Sequence, residues 1–291
     1  MRVIPSSELI INADGSIFHL HLRPEQLADV VMLVGDPGRV DMIASYFDNI
    51  ECTVESREFR TVTGTYKGRR MSAISTGIGT DNIDIVVTEL DALANIDFES
   101  RTEKPVKKQL TLLRLGTSGA IQPDIPLGSF VFARTSVGFD GLLNYYAGRN
   151  EVCDLAFEKA FVEHTGWNSQ LPAPYFVDAS KELFDHFADA VVDGVTIAAP
   201  GFYGPQGRWV RISPADPKLN EKIESFNYNG RRITNFEMES SALAGLAALM
   251  GHRAGTICTI IAQRAVKDMN TDYKPFVRQM VELALDRLAE L

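Results

Sequence analysis

Short apolar, largely β-branched runs that stop at glycine-bearing turns and give way to amphipathic stretches recur along this chain, and that alternation narrows the folds open to it. Val30-Val31-Met32-Leu33-Val34 is the first such run; Gly35-Asp36-Pro37 halts it, and Val40, Ile43 and Phe47 follow at helical spacing. Met71 to Ser75 reads as a second strand, closed by the turn Thr76-Gly77-Ile78-Gly79, with a helix from about Asn82 to Asn95. Leu110 to Leu115 reads as a third, ending in the turn Gly116-Thr117-Ser118-Gly119. Phe130 to Arg134, Val195 to Ala199 and Ala254 to Ile261 are further strands. Ile233-Thr234-Asn235-Phe236 leads into a helix with Ala242, Leu246 and Leu249 on its core face, and Phe276, Met280, Ala284, Leu288 and Leu291 mark a C-terminal helix. Strands interleaved with helices, and too apolar to expose either face, predict a three-layer α/β domain around a largely buried sheet. No fixed-period repeat or Ser/Gly-rich linker divides the chain, and the charged stretch 99–108 reads as a surface connection. A single domain over residues 1–291 is expected.

Charge limits the partners. The chain carries 38 acidic and 29 basic residues, a formal charge of −9, which repels nucleic acid and anionic membrane surfaces. An anionic ligand would need its own cluster of arginines, and this favours a small substrate in a pocket. The three cysteines, Cys52, Cys153 and Cys258, are far apart and form no CxxC, so neither a disulfide framework nor a thiolate zinc site is indicated. The first 22 residues lack the pattern of a signal peptide, and no apolar run approaches a membrane span. A cytoplasmic location is expected.

In an open α/β sheet, ligands sit beyond the carboxyl ends of the strands, so the first three turns come first. Gly35-Asp36-Pro37-Gly38-Arg39 taken alone is a tight turn with a solvated arginine. Arg114, near the end of an apolar strand and followed by Gly116, Thr117 and Ser118, is costly to bury unless an anion or acid meets it. Arg39 and Arg114 at neighbouring strand ends together favour a phosphate clamp. The second turn holds Gly77-x-Gly79 but has Asn82 where a dinucleotide fingerprint places a third glycine, so no nucleotide cofactor is expected.

Two later segments suit something other than phosphate. In Phe202-Tyr203-Gly204-Pro205-Gln206-Gly207-Arg208, Gln206 offers an acceptor and a donor while Arg208 offers donors only, matching a heterocycle with two carbonyls and an intervening N–H. Phe202 could stack on that ring. Glu237-Met238-Glu239 precedes a strong helix, and in extended geometry its carboxylates share one face. Glu239 reads either as a helix cap or as an acceptor for a sugar diol. The five histidines show no metal-ligand spacing, and there is neither HExxH nor GxSxG.

Taken in order, Phe18-His19-Leu20, Gly35-Asp36-Pro37-Gly38-Arg39, Arg57-Glu58-Phe59, Ser75-Thr76-Gly77-Ile78-Gly79, Arg114 to Gln122, Phe202 to Arg208 and Asn235 to Ser240 resemble the nucleoside phosphorylase family, with the uridine-cleaving branch nearest. The resemblance runs from about residue 15 to the end. It implies a central mixed sheet flanked by helices, and phosphorolysis of uridine, with deoxyuridine and thymidine as further substrates, to uracil and the pentose 1-phosphate. By the same resemblance Gly35, Arg39, Arg114 and Thr117 bind phosphate, and Arg57 of a neighbouring subunit completes that clamp. His19 of the neighbour meets the ribose 5′-hydroxyl, and Glu237, Met238 and Glu239 bind ribose. Phe202, Gln206 and Arg208 read the base, so that Arg114, Gln206 and Arg208 carry the catalysis. Glu58 matches a position that in some relatives helps hold a potassium ion between subunits.

Sites shared between chains imply a homodimer at least. No cofactor is required, and inorganic phosphate is a co-substrate. The chemistry is coherent: the glycosidic bond breaks through an oxocarbenium-like transition state, Gln206 and Arg208 stabilise charge growing on uracil, and the clamp sets phosphate beneath C1′. Pyrimidine is favoured over purine because Ala262-Gln263-Arg264 lacks the aspartate that purine relatives place nearby. Asp81-Asn82 stand where relatives carry a proline-serine pair.

Overall fold

A computed structural model of the chain describes residues 2–263, 268–269 and 272–291. The elements run β1 Val30–Val34, α1 Pro37–Ala44, β2 Asn49–Ser56, β3 Phe59–Tyr66, β4 Arg69–Ser75, α2 Thr80–Asn95, β5 Ile96–Asp97, β6 Thr102–Glu103 and β7 Thr111–Ala120. They continue with β8 Phe130–Gly138, α3 Arg149–Val152, α4 Leu155–Thr165, β9 Tyr175–Asp178, α5 Lys181–Phe187, β10 Val192–Ala198, α6 Leu219–Ser225 and β11 Asn227–Tyr228. The last are β12 Arg231–Glu237, α7 Ser240–Met250, β13 Arg253–Gln263, β14 Asp268–Met269 and α8 Lys274–Ala289.

The main sheet has the order β11-β12-β10-β8-β13-β7-β1-β4-β3-β2. It is mixed: β4, β1, β7 and β13 run parallel, while β8 meets β13 antiparallel. β12 also pairs with β7, Asn235 opposite Ala120 and Phe236 opposite Gly119, so β12, β10, β8, β13 and β7 close into a ring. β1, β4, β3 and β2 extend from this ring on one side, and the short strands β11, β9 and β14 attach to β12, β8 and β13. Buried polar side chains pin the closure: Asn235 donates to Ser118 Oγ at 2.9 Å and accepts from Thr196 at 2.8 Å and Thr234 at 2.7 Å.

The strand period of two sorts the central side chains. Val31, Leu33 and Leu112 join one core with α2 and α7. Val30, Met32, Val34, Leu113 and Leu115 join the other with α1, α5 and α8. Alternation thus puts Arg114 on the α2–α7 face, in register between Leu33 of β1 and Thr256 of β13. A third core, rich in phenylalanine, packs α4 and α6 against β9, β10 and β12.

The structure changes one sequence expectation and adds two elements that the sequence did not suggest. Gly116 to Gly119 is not a turn, because β7 runs on to Ala120 and pairs with β13 throughout. The glycine at 116 serves close packing instead: a Cβ there would stand 2.5 Å from Arg114 Nη1 and 2.9 Å from Cys258 Sγ. The hairpin β2–β3 was not anticipated; its tip is Arg57-Glu58, with Arg57 at φ +57°. The stretch 99–108 holds β6, which pairs with β5 as a small two-stranded sheet. Among the described residues no helix is long and apolar enough to cross a membrane.

Candidate active site

Three helix N-termini converge where the strands end. Asp36 caps α1 by accepting from Gly38 N at 2.9 Å. The turn before α2 touches the turn before α1, since a Cβ on Gly35 would lie 3.2 Å from the Gly77 carbonyl oxygen. Glu239, at the start of α7, accepts from Gly79 N at 2.8 Å and so joins the α7 end to the α2 end. Partial positive charge from these ends falls on one place, which suits an anion.

Two arginines stand there. Arg39 reaches across the sheet end to donate to the Leu115 carbonyl oxygen at 3.0 Å. Burial, with Arg114 adding to it, lowers the proton affinity of Arg39. Arg114 is 5% exposed; its Nη1 pairs with Glu237 Oε2 at 3.2 Å and its Nη2 pairs with Glu239 Oε2. Burial works against its charge, but Glu239 and Glu237 outweigh it and hold the guanidinium more firmly protonated than usual. Its Nε is buried without a hydrogen-bond partner among the described residues, an uncommon condition for so strong a donor. Burial pushes the Glu237 carboxyl up to about 7, against the pull of Arg114. The Cys258 thiol is likewise pushed up to about 12, first by burial and then by Glu237.

The two glutamates divide their work. Glu237, not Glu239, caps α7, accepting from Glu239 N at 2.9 Å, from Ser240 N at 2.9 Å and from Ser240 Oγ at 2.7 Å. Glu239 occupies the cap position but makes no side-chain cap bond. Met238 between them is partly exposed. Thr117 is also partly exposed, pairing with Thr259 inside β7 rather than standing on a turn.

Phe202, Gln206 and Arg208 form a second cluster on the turn Gly204–Gln206. Arg208 Nη1 donates to Gln206 Oε1 at 2.7 Å and to the Phe202 carbonyl, and its guanidinium lies 3.7 Å from the Phe202 ring centroid. Gln206 is buried, its backbone carbonyl held by Asn220 Nδ2 at 3.1 Å, while Phe202 is 49% exposed. An apolar cavity of about 300 Å³ lies behind this turn, with Phe139, Trp167, Pro200 and Pro205 in its wall.

His19, Arg57 and Glu58 form a third group. His19 Nδ1 lies 2.7 Å from Glu89 Oε1, and the backbone N–H groups of His19 and Leu20 also donate to that carboxylate. Arg57 lies over the Phe18 ring, 5.7 Å from its centroid. Glu58 accepts from Asn82 Nδ2 at 3.3 Å, beside the second turn. Gln263 is buried and donates to the carbonyls of Gln122 and Ile125, bracing the segment after β7; Arg264 lies outside the described residues.

Sequence reasoning missed Glu89 and Cys258 as parts of the site. Glu89 left a readable signal, an acid set within the apolar stripe Val86, Leu90 and Leu93, where burial demands a partner. Cys258 looks like any small core residue, and only the strand register sets it opposite Gly116, where its thiol and the Arg114 guanidinium share the space a Cβ would take.

A profile of the Phosphorylase superfamily matches residues 29–291. A uridine phosphorylase of Thermococcus kodakarensis is 32% identical over 272 residues, covering 90% of this chain and 83% of its own length. A guanosine phosphorylase of Halorubrum lacusprofundi is 28% identical over 245 residues, covering 83% of this chain and 81% of its own. Among solved structures, a Trypanosoma brucei nucleoside phosphorylase, described as showing uridine phosphorylase activity, superposes with a TM-score of 0.89 at 30% identity, covering 97% of this chain and 100% of that one.

Proposed function

The chain belongs to the Phosphorylase superfamily, and from that membership we propose that it cleaves uridine with inorganic phosphate to give uracil and ribose 1-phosphate, in pyrimidine nucleoside salvage and catabolism. The observation that carries the phosphate half is Arg114, buried where three helix N-termini meet, with an unpartnered Nε. Phosphate binds Arg114, Arg39, Gly35 and Thr117, and Arg57 of a neighbouring subunit closes over it.

Glu239 accepts from the ribose 2′- and 3′-hydroxyls beside Met238, and His19 of the neighbour, steadied by Glu89, meets the 5′-hydroxyl. Gln206 and Arg208 face the uracil carbonyls and N–H, with Phe202 against the ring. As the glycosidic bond breaks, they stabilise the charge gathering on uracil while the arginines hold phosphate for attack at C1′. Deoxyuridine and thymidine are further substrates to the extent that the 2′-hydroxyl contact is dispensable.

No cofactor is required, and the working form is a homodimer or larger. Neither nucleic acid nor membrane is a partner, given the charge of −9. A cytoplasmic location suits the three free cysteines. No group of three or more His, Cys, Asp or Glu among the described residues could hold a metal ion. Glu58 supplies one exposed carboxylate per chain, so it fits a potassium ion only where a second subunit adds oxygen ligands.

The test follows uridine absorbance with purified protein, with and without inorganic phosphate. Loss of uridine only with phosphate, yielding uracil and ribose 1-phosphate, is the expected result. Turnover without phosphate would make the chain a hydrolase and the arginine clamp a misreading. Phosphorolysis of inosine or guanosine but not uridine would move it to the purine side.

A further inference from the structure

The phosphorolysis reading leaves open what separates two carboxylates that lie two positions apart on one motif and are both buried. Their acceptor counts differ. A carboxylate offers about four lone-pair sites. Glu237 has all of its sites taken: Ser240 N and Ser240 Oγ on Oε1 at 2.9 and 2.7 Å, Glu239 N and Arg114 Nη1 on Oε2 at 2.9 and 3.2 Å. Glu239 accepts only from Gly79 N on Oε1 and Arg114 Nη2 on Oε2 among the described residues, so one site on each oxygen remains. Two remaining sites match two adjacent ribose hydroxyls, and Glu237 has none to offer.

Resting on that reading, we propose that Glu237 is a positioning residue that never touches ribose and instead sets both Arg114 and Glu239 for their ligands. Its carboxylate ties three elements at one point: the end of β12 that carries it, the first turn of α7, and Arg114 on β7. Holding Glu239 N and Ser240 N fixes the backbone from which the Glu239 side chain projects. Holding Arg114 Nη1 turns the guanidinium so that Nη2 meets Glu239. Glu237→Gln keeps the shape but sets an amide N–H₂ against Ser240 N on one oxygen's side or Glu239 N and Arg114 Nη1 on the other, all obligate donors, so bonds are lost either way. Besides Arg114, the titratable groups that act on Glu237 are Glu239 and Cys258.

The experiment compares the parent with Glu237→Gln, Ser240→Ala and Glu239→Gln, varying phosphate and using uridine and 2′-deoxyuridine in parallel. Glu237→Gln is expected to raise the KM for phosphate and lower kcat, each by about tenfold, and to lower the uridine-to-deoxyuridine ratio of kcat/KM by about two- to threefold, because Glu239 is loosened rather than lost. Glu239→Gln is expected to collapse that ratio. Ser240→Ala, which removes one bond to Glu237 and keeps the charge, is expected to follow Glu237→Gln at about two- to threefold, and it decides the matter if Glu237→Gln does not fold. A Glu237→Gln enzyme whose ratio collapses as far as that of Glu239→Gln while its phosphate KM stays parent-like would place Glu237 on ribose and overturn the proposal. Parent-like phosphate KM and kcat would overturn it too. A parent inactive on uridine with phosphate defeats the phosphorolysis reading itself, and the proposal falls with it.

Discussion

Arg114 and Gly116 show how one side chain dictates another two positions along a strand. An arginine at 5% exposure needs partners, and Glu237 and Glu239 supply them. Its guanidinium then fills the space above residue 116, leaving no room for a Cβ. Neither Arg114 nor Cys258 can retreat, since both are buried. Gly116→Ala is therefore expected to destabilise the fold by about 1–3 kcal/mol and to weaken phosphate use more than uridine use, read by a thermal melt beside phosphate and uridine KM values. An alanine enzyme with parent-like phosphate KM would show that the guanidinium can shift without loss.

At the scale of elements, the site depends on what helices do at their ends and on their buried faces. α1, α2 and α7 bring N-termini together, and α2 also carries Glu89, 9% exposed, whose carboxylate gathers His19 Nδ1 and two backbone N–H groups. This one acid anchors the N-terminal segment to a helix 70 residues on. Removing it strands those donors: Glu89→Ala is expected to cost about 1–3 kcal/mol and to raise the uridine KM while sparing the phosphate KM. Urea denaturation and the two KM values check this. Equal damage to both would mean that the whole site had loosened.

Across the whole molecule, closure of the strand ring and burial of charge set the stability. Phe236 sits on β12 opposite Gly119, where the ring closes, and packs into the aromatic core. Phe236→Ala is expected to cost about 3–5 kcal/mol in urea, well above a surface change. Glu237 adds a pH dependence. Its folded-state pKa, about 7, lies above its ordinary value of 4.5, so the folded chain binds the extra proton in that window. The contribution is full below the lower value and is lost as pH rises through the upper one. The urea midpoint should therefore fall between about pH 5.5 and about pH 8, and Glu237→Gln should flatten that slope. A parent midpoint that rises across the interval would show that Arg114 outweighs burial.

The sequence by itself determined the strand–helix alternation, the buried sheet and the segments that carry the site. Those signals are local: an apolar run is a strand candidate wherever it lies, and an arginine beside Leu113 and Leu115 demands an explanation before any contact is known. The same locality misled at Gly116-Thr117-Ser118-Gly119, where glycines that signal a turn serve close packing inside β7. Only the tertiary structure decided that β12 returns to β7 and closes the ring, that Glu237 rather than Glu239 caps α7, and that Glu89 holds His19. Each of these depends on which distant groups meet. Glu237 and Glu239 have the same chemistry on paper, and what separates them is the set of donors that folding brings to each carboxylate.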